Sequence, residues 1–181
     1  MNIILFGLPK SGKTTIGQKL ANDLFLSFID TDRLLEQLYK ERFKVDYSCR
    51  KIYQIHGEKK FRILESEVIF SLQDLSDTII SIGGGAICIP KIVSFLEGLG
   101  EFVHLQINKE TLYSRLMLDP PAFLSKLQDL SVFNAFYDNR CNYMKKISSH
   151  TIVVDDKTVD EVVDILISFY TEISLKYYGQ Q

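Results

Sequence analysis

The sequence predicts an α/β domain with a mainly parallel sheet of five strands, covered by helices on both faces. Two observations carry this. Short, continuous apolar runs alternate five times with segments of helical period along the 181 residues. Continuous runs suit strands buried on both faces, and strand–helix alternation is satisfied by a parallel sheet. In addition, the first run ends in a glycine-rich turn that opens directly into a helical segment.

Taken in order, "NIILFG" reads as the first buried strand. From Lys13 the period changes, and Ile16, Leu20 and Leu24 fall at helical spacing. "FLSFID" is a second strand ending in acid, and Thr31 is the capping candidate for the helix "TDRLLEQLYKER". The stretch from Val45 to Leu75 is expected to be helical in two pieces broken at Gly57, with Phe61, Leu64, Val68 and Leu72 on one face. "TIISIGGG" is a third strand running into three glycines, followed by a short helix after Pro90. "EFVHLQIN" and "HTIVVDD" are the fourth and fifth strands. Helices are expected over "KETLYSRLML" and "LQDLSVFNAFYDNRCNYMKKIS", separated by the proline pair of "DPPAFLSK". The last helix should bury Val159, Val162, Val163, Leu166, Phe169 and Ile173.

Composition narrows the function. A hydrophobic content of 46% and charged content of 24% are those of a folded globular chain. A net charge of −2 without a lysine or arginine block argues against nucleic acid as partner. No apolar run approaches the ~20 residues of a membrane helix, and "NIILF" is too short for a signal core. A cytoplasmic protein, working as a monomer, is the expectation. Cys49, Cys88 and Cys141 lack CxxC spacing, so they read as small buried side chains of a reducing compartment. His56, His104 and His150 lack ligand spacing and read as structural or exposed.

The chemistry starts at "GLPKSGKTT". Gly7-Leu8-Pro9-Lys10-Ser11-Gly12-Lys13-Thr14 fits GxxxxGK[ST] at every fixed position, with a buried strand before it and a helix after. Its glycines let successive N–H groups turn inward, and the helix N-terminus adds positive potential at the same place. Lys13 can reach the β- and γ-phosphates of ATP, and the Thr14 hydroxyl can ligate Mg²⁺. Lys10 occupies a position where a small residue would be easier, at a cost of about 1 kcal/mol if its φ is positive.

Four further features suggest the acceptor. Asp30 and Asp32 end the second strand, at the sheet edge where open parallel sheets bind ligands. One carboxylate can hold Mg²⁺ through water and the other can take a proton from a hydroxyl; both could equally cap the next helix. Arg62 and Glu65 stand at i and i+3, as a site pair or as a plain surface ion pair. Gly83, Gly84 and Gly85 let a ligand approach bare backbone, or form a flexible turn. Arg140 could grip a carboxylate bidentately, and two converging arginines would select an anion.

"GLPKSGKTTIG", "DTD" with Glu36 following, "GEKKFRILE", "SIGGGA" and Arg140 with Tyr143 together resemble shikimate kinase over nearly the whole chain. The resemblance implies a three-layer α/β/α P-loop NTPase fold of the nucleoside-monophosphate-kinase type, as a single kinase domain over 1–181. It implies a nucleotide loop over 7–15, a substrate-binding helical region over about 31–75 and a mobile lid over about 116–128. The implied activity is ATP- and Mg²⁺-dependent phosphorylation of the shikimate 3-hydroxyl. By resemblance, Gly7, Pro9, Lys10, Ser11, Gly12, Lys13, Thr14 and Thr15 bind nucleotide, and Thr14 and Asp30 serve the metal. Asp32 matches the base, which also binds the substrate hydroxyls. Arg62 and Arg140 match the pair that grips the substrate carboxylate, with Glu65 supporting Arg62, and Gly83 to Gly85 form the substrate-facing turn. Arg115 matches an arginine that contacts the nucleotide at the lid edge, and with Lys13 and Asp32 it is expected to be catalytic.

The family's lid usually carries an arginine before "PLL", whereas this chain has "DPPAFLS", with proline at that point. Arg115, Lys126 and Lys10 are the cations at hand, and Arg115 or Lys126 is expected to swing in on closure. The loop near Asp155 to Thr158 also lacks an arginine found there in some relatives. Two other readings compete: a related kinase of gluconate or a nucleoside monophosphate, and a non-catalytic nucleotide-binding regulator that lost its lid arginine.

Overall fold

The computed structural model describes residues 1–118 and 129–178. Its centre is a five-stranded parallel sheet in the order β2-β3-β1-β4-β5. These strands are β1 (Asn2–Phe6), β2 (Ser27–Asp30), β3 (Thr78–Ser81), β4 (Gly100–Gln106) and β5 (His150–Val153). The expected five-stranded α/β architecture is the observed one. β1 is buried along its whole length because it lies mid-sheet, pairing Ile3 with Ile79 on one side and Ile4 with Phe102 on the other.

The helices are α1 (Lys13–Leu24), α2 (Thr31–Phe43), α3 (Cys49–Phe70), α4 (Pro90–Glu97), α5 (Lys109–Leu118), α6 (Leu130–Ile147) and α7 (Val159–Tyr178). α1 turns Ile16, Leu20 and Ala21 inward, and α7 does the same with Val162, Val163 and Leu166. Val159, expected on the buried side, is 37% exposed in the first turn of α7. Among the described residues no helix is long and apolar enough to cross a membrane.

Two local expectations need correcting. Thr31 does not cap α2. Asp30 does, its carboxylate accepting the Asp32 N–H at 3.0 Å from the extended end of β2. Thr31 instead turns inward, for a reason given below. α3 begins at Cys49 rather than near Val45, because Ser48 is extended and its hydroxyl accepts from the Lys51 N–H. The expected break falls at Gly57, whose φ of 73° and ψ of 175° are non-helical and costly for other residues.

The main core surrounds the sheet. A second, smaller cluster lies between α2 and α3 and comprises Leu35, Tyr39, Ile52, Phe61, Leu64 and Val68. His104, on β4, is fully buried and stacks on Phe6 with ring centroids 5.6 Å apart. Neither of its ring nitrogens has a hydrogen-bond partner among the described residues. The three cysteines are free thiols, with Cys141 buried and Cys49 and Cys88 half-buried.

Candidate active site

The loop after β1 is held by a bond from the Ser11 N–H to the Leu8 carbonyl and by Gly12 at φ 89°. Lys10 does adopt a left-handed φ of 66°. Lys13, the first residue of α1, folds its ammonium back onto the Gly7 and Leu8 carbonyls, each at 3.1 Å. Burial pushes this ammonium below its ordinary range, while Asp32 and then Asp30 pull it back up. The buried Ser11 hydroxyl has no partner among the described residues, and an oxyanion in the loop would supply one.

Asp30 serves two neighbours. One carboxylate oxygen caps α2, and the other accepts the Thr14 hydroxyl at 2.6 Å. The two predicted metal residues are therefore adjacent. Asp32 faces the glycine turn so closely that a Cβ on Gly83 would lie 2.8 Å from its Oδ1. Desolvation, and then the Asp30 carboxylate, push the Asp32 carboxyl above its usual range, against Lys13. Thr31, between the two, clips this strand end to the next. Its hydroxyl donates to the Ser81 carbonyl at 3.1 Å and accepts from the Gly83 N–H at 3.2 Å. Sequence reading missed this role because the clip depends on β2–β3 register, with Asp30 opposite Ser81.

The two arginines meet at the glycine turn. Arg62 comes from α3 and pairs with Glu65 one turn on, as their spacing predicted, and with Glu58 more distantly at 3.7 Å. A Cβ on Gly85 would collide with the Arg62 guanidinium. Glu65 is only 6% exposed, and burial pushes its carboxyl up to about 7 against the pull of Arg62. Arg140 comes from α6, reaches the Gly84 carbonyl at 3.3 Å and packs over the Phe136 ring at 5.5 Å. Its guanidinium also donates to the Cys88 sulfur, a contact that sequence reading did not signal.

The turn also abuts the nucleotide loop, for a Cβ on Gly84 would lie 2.9 Å from the Gly7 carbonyl oxygen and 3.4 Å from Pro9 Cδ. Arg115, from α5, also reaches the loop and donates to the Lys10 carbonyl at 2.8 Å. Thr15 stands apart from these contacts, in a shallow polar groove with Thr14, Gln18, Lys19, Asn22 and Asp23. The proline pair, Lys126 and most of the expected lid lie outside the described residues. A loop that can hold a triphosphate tail thus faces, across one glycine turn, guanidiniums that can hold an organic anion. That pairing on a parallel sheet defines a P-loop phosphotransferase.

Comparison with known proteins makes this specific. The shikimate kinase family profile matches residues 9–171. A shikimate kinase of Clostridium botulinum (strain Loch Maree / Type A3) is 34% identical over 91% of this chain and 94% of its own length. That of Caldanaerobacter subterraneus subsp. tengcongensis is 29% identical over 95% and 97%. Among solved structures, shikimate kinase from Aquifex aeolicus superposes with a TM-score of 0.74 at 26% identity, covering 96% of this chain and 98% of that one. The Acinetobacter baumannii shikimate kinase in complex with shikimate superposes with a TM-score of 0.83 at 24% identity, covering 96% and 94%, and at that identity shows the shared fold. The chain belongs to the shikimate kinase family. Its activity is the ATP-dependent phosphorylation of shikimate, with ATP and Mg²⁺ as cofactors.

The donor set suits that ion. The Thr14 hydroxyl and Asp30 carboxylate are hard oxygen donors. Among the described residues no group of three or more His, Cys, Asp or Glu could hold a metal. Two such oxygen donors suit a cation that keeps phosphate and water among its ligands.

Proposed function

We propose that Asp32 accepts the proton of the shikimate 3-hydroxyl as that oxygen takes the γ-phosphoryl group of ATP. One observation carries this reading: Arg62 and Arg140, from distant parts of the chain, converge on a glycine turn that also touches both Asp32 and the nucleotide loop. The two guanidiniums fix the substrate carboxylate, and Glu65 orients Arg62. With the acid end fixed there, the ring hydroxyls extend toward Asp32. Asp32, held against Gly83 at the turn, stands where it can accept that proton. Lys13 leaves the Gly7 and Leu8 carbonyls for the β- and γ-phosphates, and the inward-facing amides of the loop hold the same oxygens. Thr14 and Asp30 would hold Mg²⁺, which when bound neutralises charge on the phosphate oxygens. Gly7, Pro9, Lys10, Ser11, Gly12 and Thr15 complete the nucleotide site, and Arg115 supports it from the lid edge. The working unit is taken as a cytoplasmic monomer without nucleic acid, consistent with the net charge of −2.

A shikimate-dependent ADP-release assay, run beside an Asp32→Asn variant, tests the reading. The variant should lose ~10²–10⁴-fold in kcat, the worth of a positioned general base, with ATP affinity little changed. Near-normal turnover would remove Asp32 from the base role. Tight ATP binding by the wild type with no transfer to shikimate would overturn the whole assignment.

A further inference from the structure

The two guanidiniums at the glycine turn are not held alike. Arg62 is neutralised by Glu65 and, more distantly, Glu58. Among the described residues Arg140 makes no ion pair. Its contacts are the Gly84 carbonyl, the Cys88 sulfur and the face of Phe136. Both polar contacts fall on Nη1, which turns that corner of the guanidinium into the fold and leaves the Nε–Nη2 edge to meet a carboxylate side-on.

The chain path fixes Cys88 for this task. The Ala86 N–H bonds back to Gly83 and the Cys88 N–H to Gly85, winding the glycine turn directly into a 3₁₀ turn over Ala86–Cys88. The sulfur therefore sits at a set offset from the turn that faces the substrate. We propose that Cys88 is a positioning residue for substrate recognition: its neutral sulfur holds Arg140 by Nη1, presenting the opposite edge, with its charge undiminished, to the substrate carboxylate. The inference rests on the reading of Arg140 as a carboxylate-gripping residue. A carboxylate at position 88 would hold the arginine as well, but would cancel the charge the substrate needs. The thiol avoids this, because burial pushes it up, more than Arg140 pulls it down, and keeps it protonated.

Shikimate binding to the full-length chain, measured by calorimetry alongside ATP binding and a thermal melt, tests the inference. Cys88→Ser, which keeps a neutral acceptor, should bind shikimate within about twofold of the wild type, and Cys88→Val about 3–10-fold more weakly, the range of one ordinary hydrogen bond, since a thiol sulfur is a weak acceptor. Cys88→Asp should be weakest, by about 30-fold or more, because it pairs with the guanidinium. ATP affinity should be unchanged in all three. A residue needed only for packing would instead rank Val above Ser and Asp, in step with the melting temperatures. Wild-type affinity in Cys88→Val, or equal weakening in Ser and Val, overturns the inference. Failure of the wild-type chain to bind shikimate would sink the functional reading itself, which separates the two failures.

Discussion

Replacing Gly85 with alanine should separate stability from substrate recognition. Gly85 has φ −93° and ψ −33°, an ordinary helical conformation that alanine adopts without strain. At such a site the change favours folding by ~0.4–1 kcal/mol, by narrowing the unfolded ensemble. The new Cβ would land on the Arg62 guanidinium. That group is the far end of a flexible side chain, so it gives way rather than the backbone, by on the order of 1 Å to regain ~3.5 Å of ordinary contact. Glu65 then loses its partner, but it need not stay charged, since its carboxyl is already pushed up to about 7 and would rise further. The expense falls on the substrate carboxylate. Losing a charge-assisted hydrogen-bonded contact is worth ~1.5–3 kcal/mol, or about 10- to 150-fold in affinity. Steady-state ADP release should therefore show the KM for shikimate rising by that factor while the KM for ATP stays put. The melting temperature should move by no more than about 4 °C. An unchanged shikimate KM would refute the placement of Arg62 against this turn. A collapse in melting temperature would show that Gly85 serves the backbone instead.

Other perturbations probe separate features. His104 is buried neutral, its imidazole lowered from 6.5 to about 4 by burial and then by Lys145 and Lys13. Because the folded value lies below the unfolded one, stability is intact above pH 6.5 and falls as pH drops toward 4. Two and a half units at 1.36 kcal/mol each limit the loss to about 3 kcal/mol. Urea unfolding between pH 7 and 4 should show that loss in the wild type relative to His104→Phe, and equal slopes would refute it. Arg115→Ala should lower kcat by ~10³-fold or more if Arg115 takes over from the missing lid arginine. A few-fold effect in both Arg115→Ala and Lys126→Ala, by the same ADP-release assay, would exclude both as that replacement.

Features written within one short window were the most legible in the sequence. The strand–loop–helix of Gly7 to Thr15, the Arg62–Glu65 spacing and the break at Gly57 are all local patterns, whereas the sequence raised the left-handed φ of Lys10 only as a condition that the structure meets. Residues whose role depends on another strand or helix were not legible from pattern alone. Arg140 lies 56 residues from Gly84, and only the family resemblance joined them. Thr31 looked like a helix cap because capping is local, while its actual partners, Ser81 and Gly83, become neighbours only when β2 and β3 pair. Cys88 looked like inert filler for the same reason, since nothing near it in sequence announces an arginine.

The separate apolar cluster between α2 and α3 has a bearing on how this scaffold can diversify. Its six buried residues are distinct from those packed around the sheet, and among the described residues the partly buried Leu34 packs against both. Arg62, proposed to grip the acceptor, and Glu65, which pairs with it, therefore ride on a helical pair with its own apolar cluster, although α3 also sends Ile69 into the main core. Grafting a different helical pair between β2 and β3 would be the economical route to a new acceptor, and Thr31, which ties the end of β2 to the residues after β3, marks the joint that such a graft must preserve.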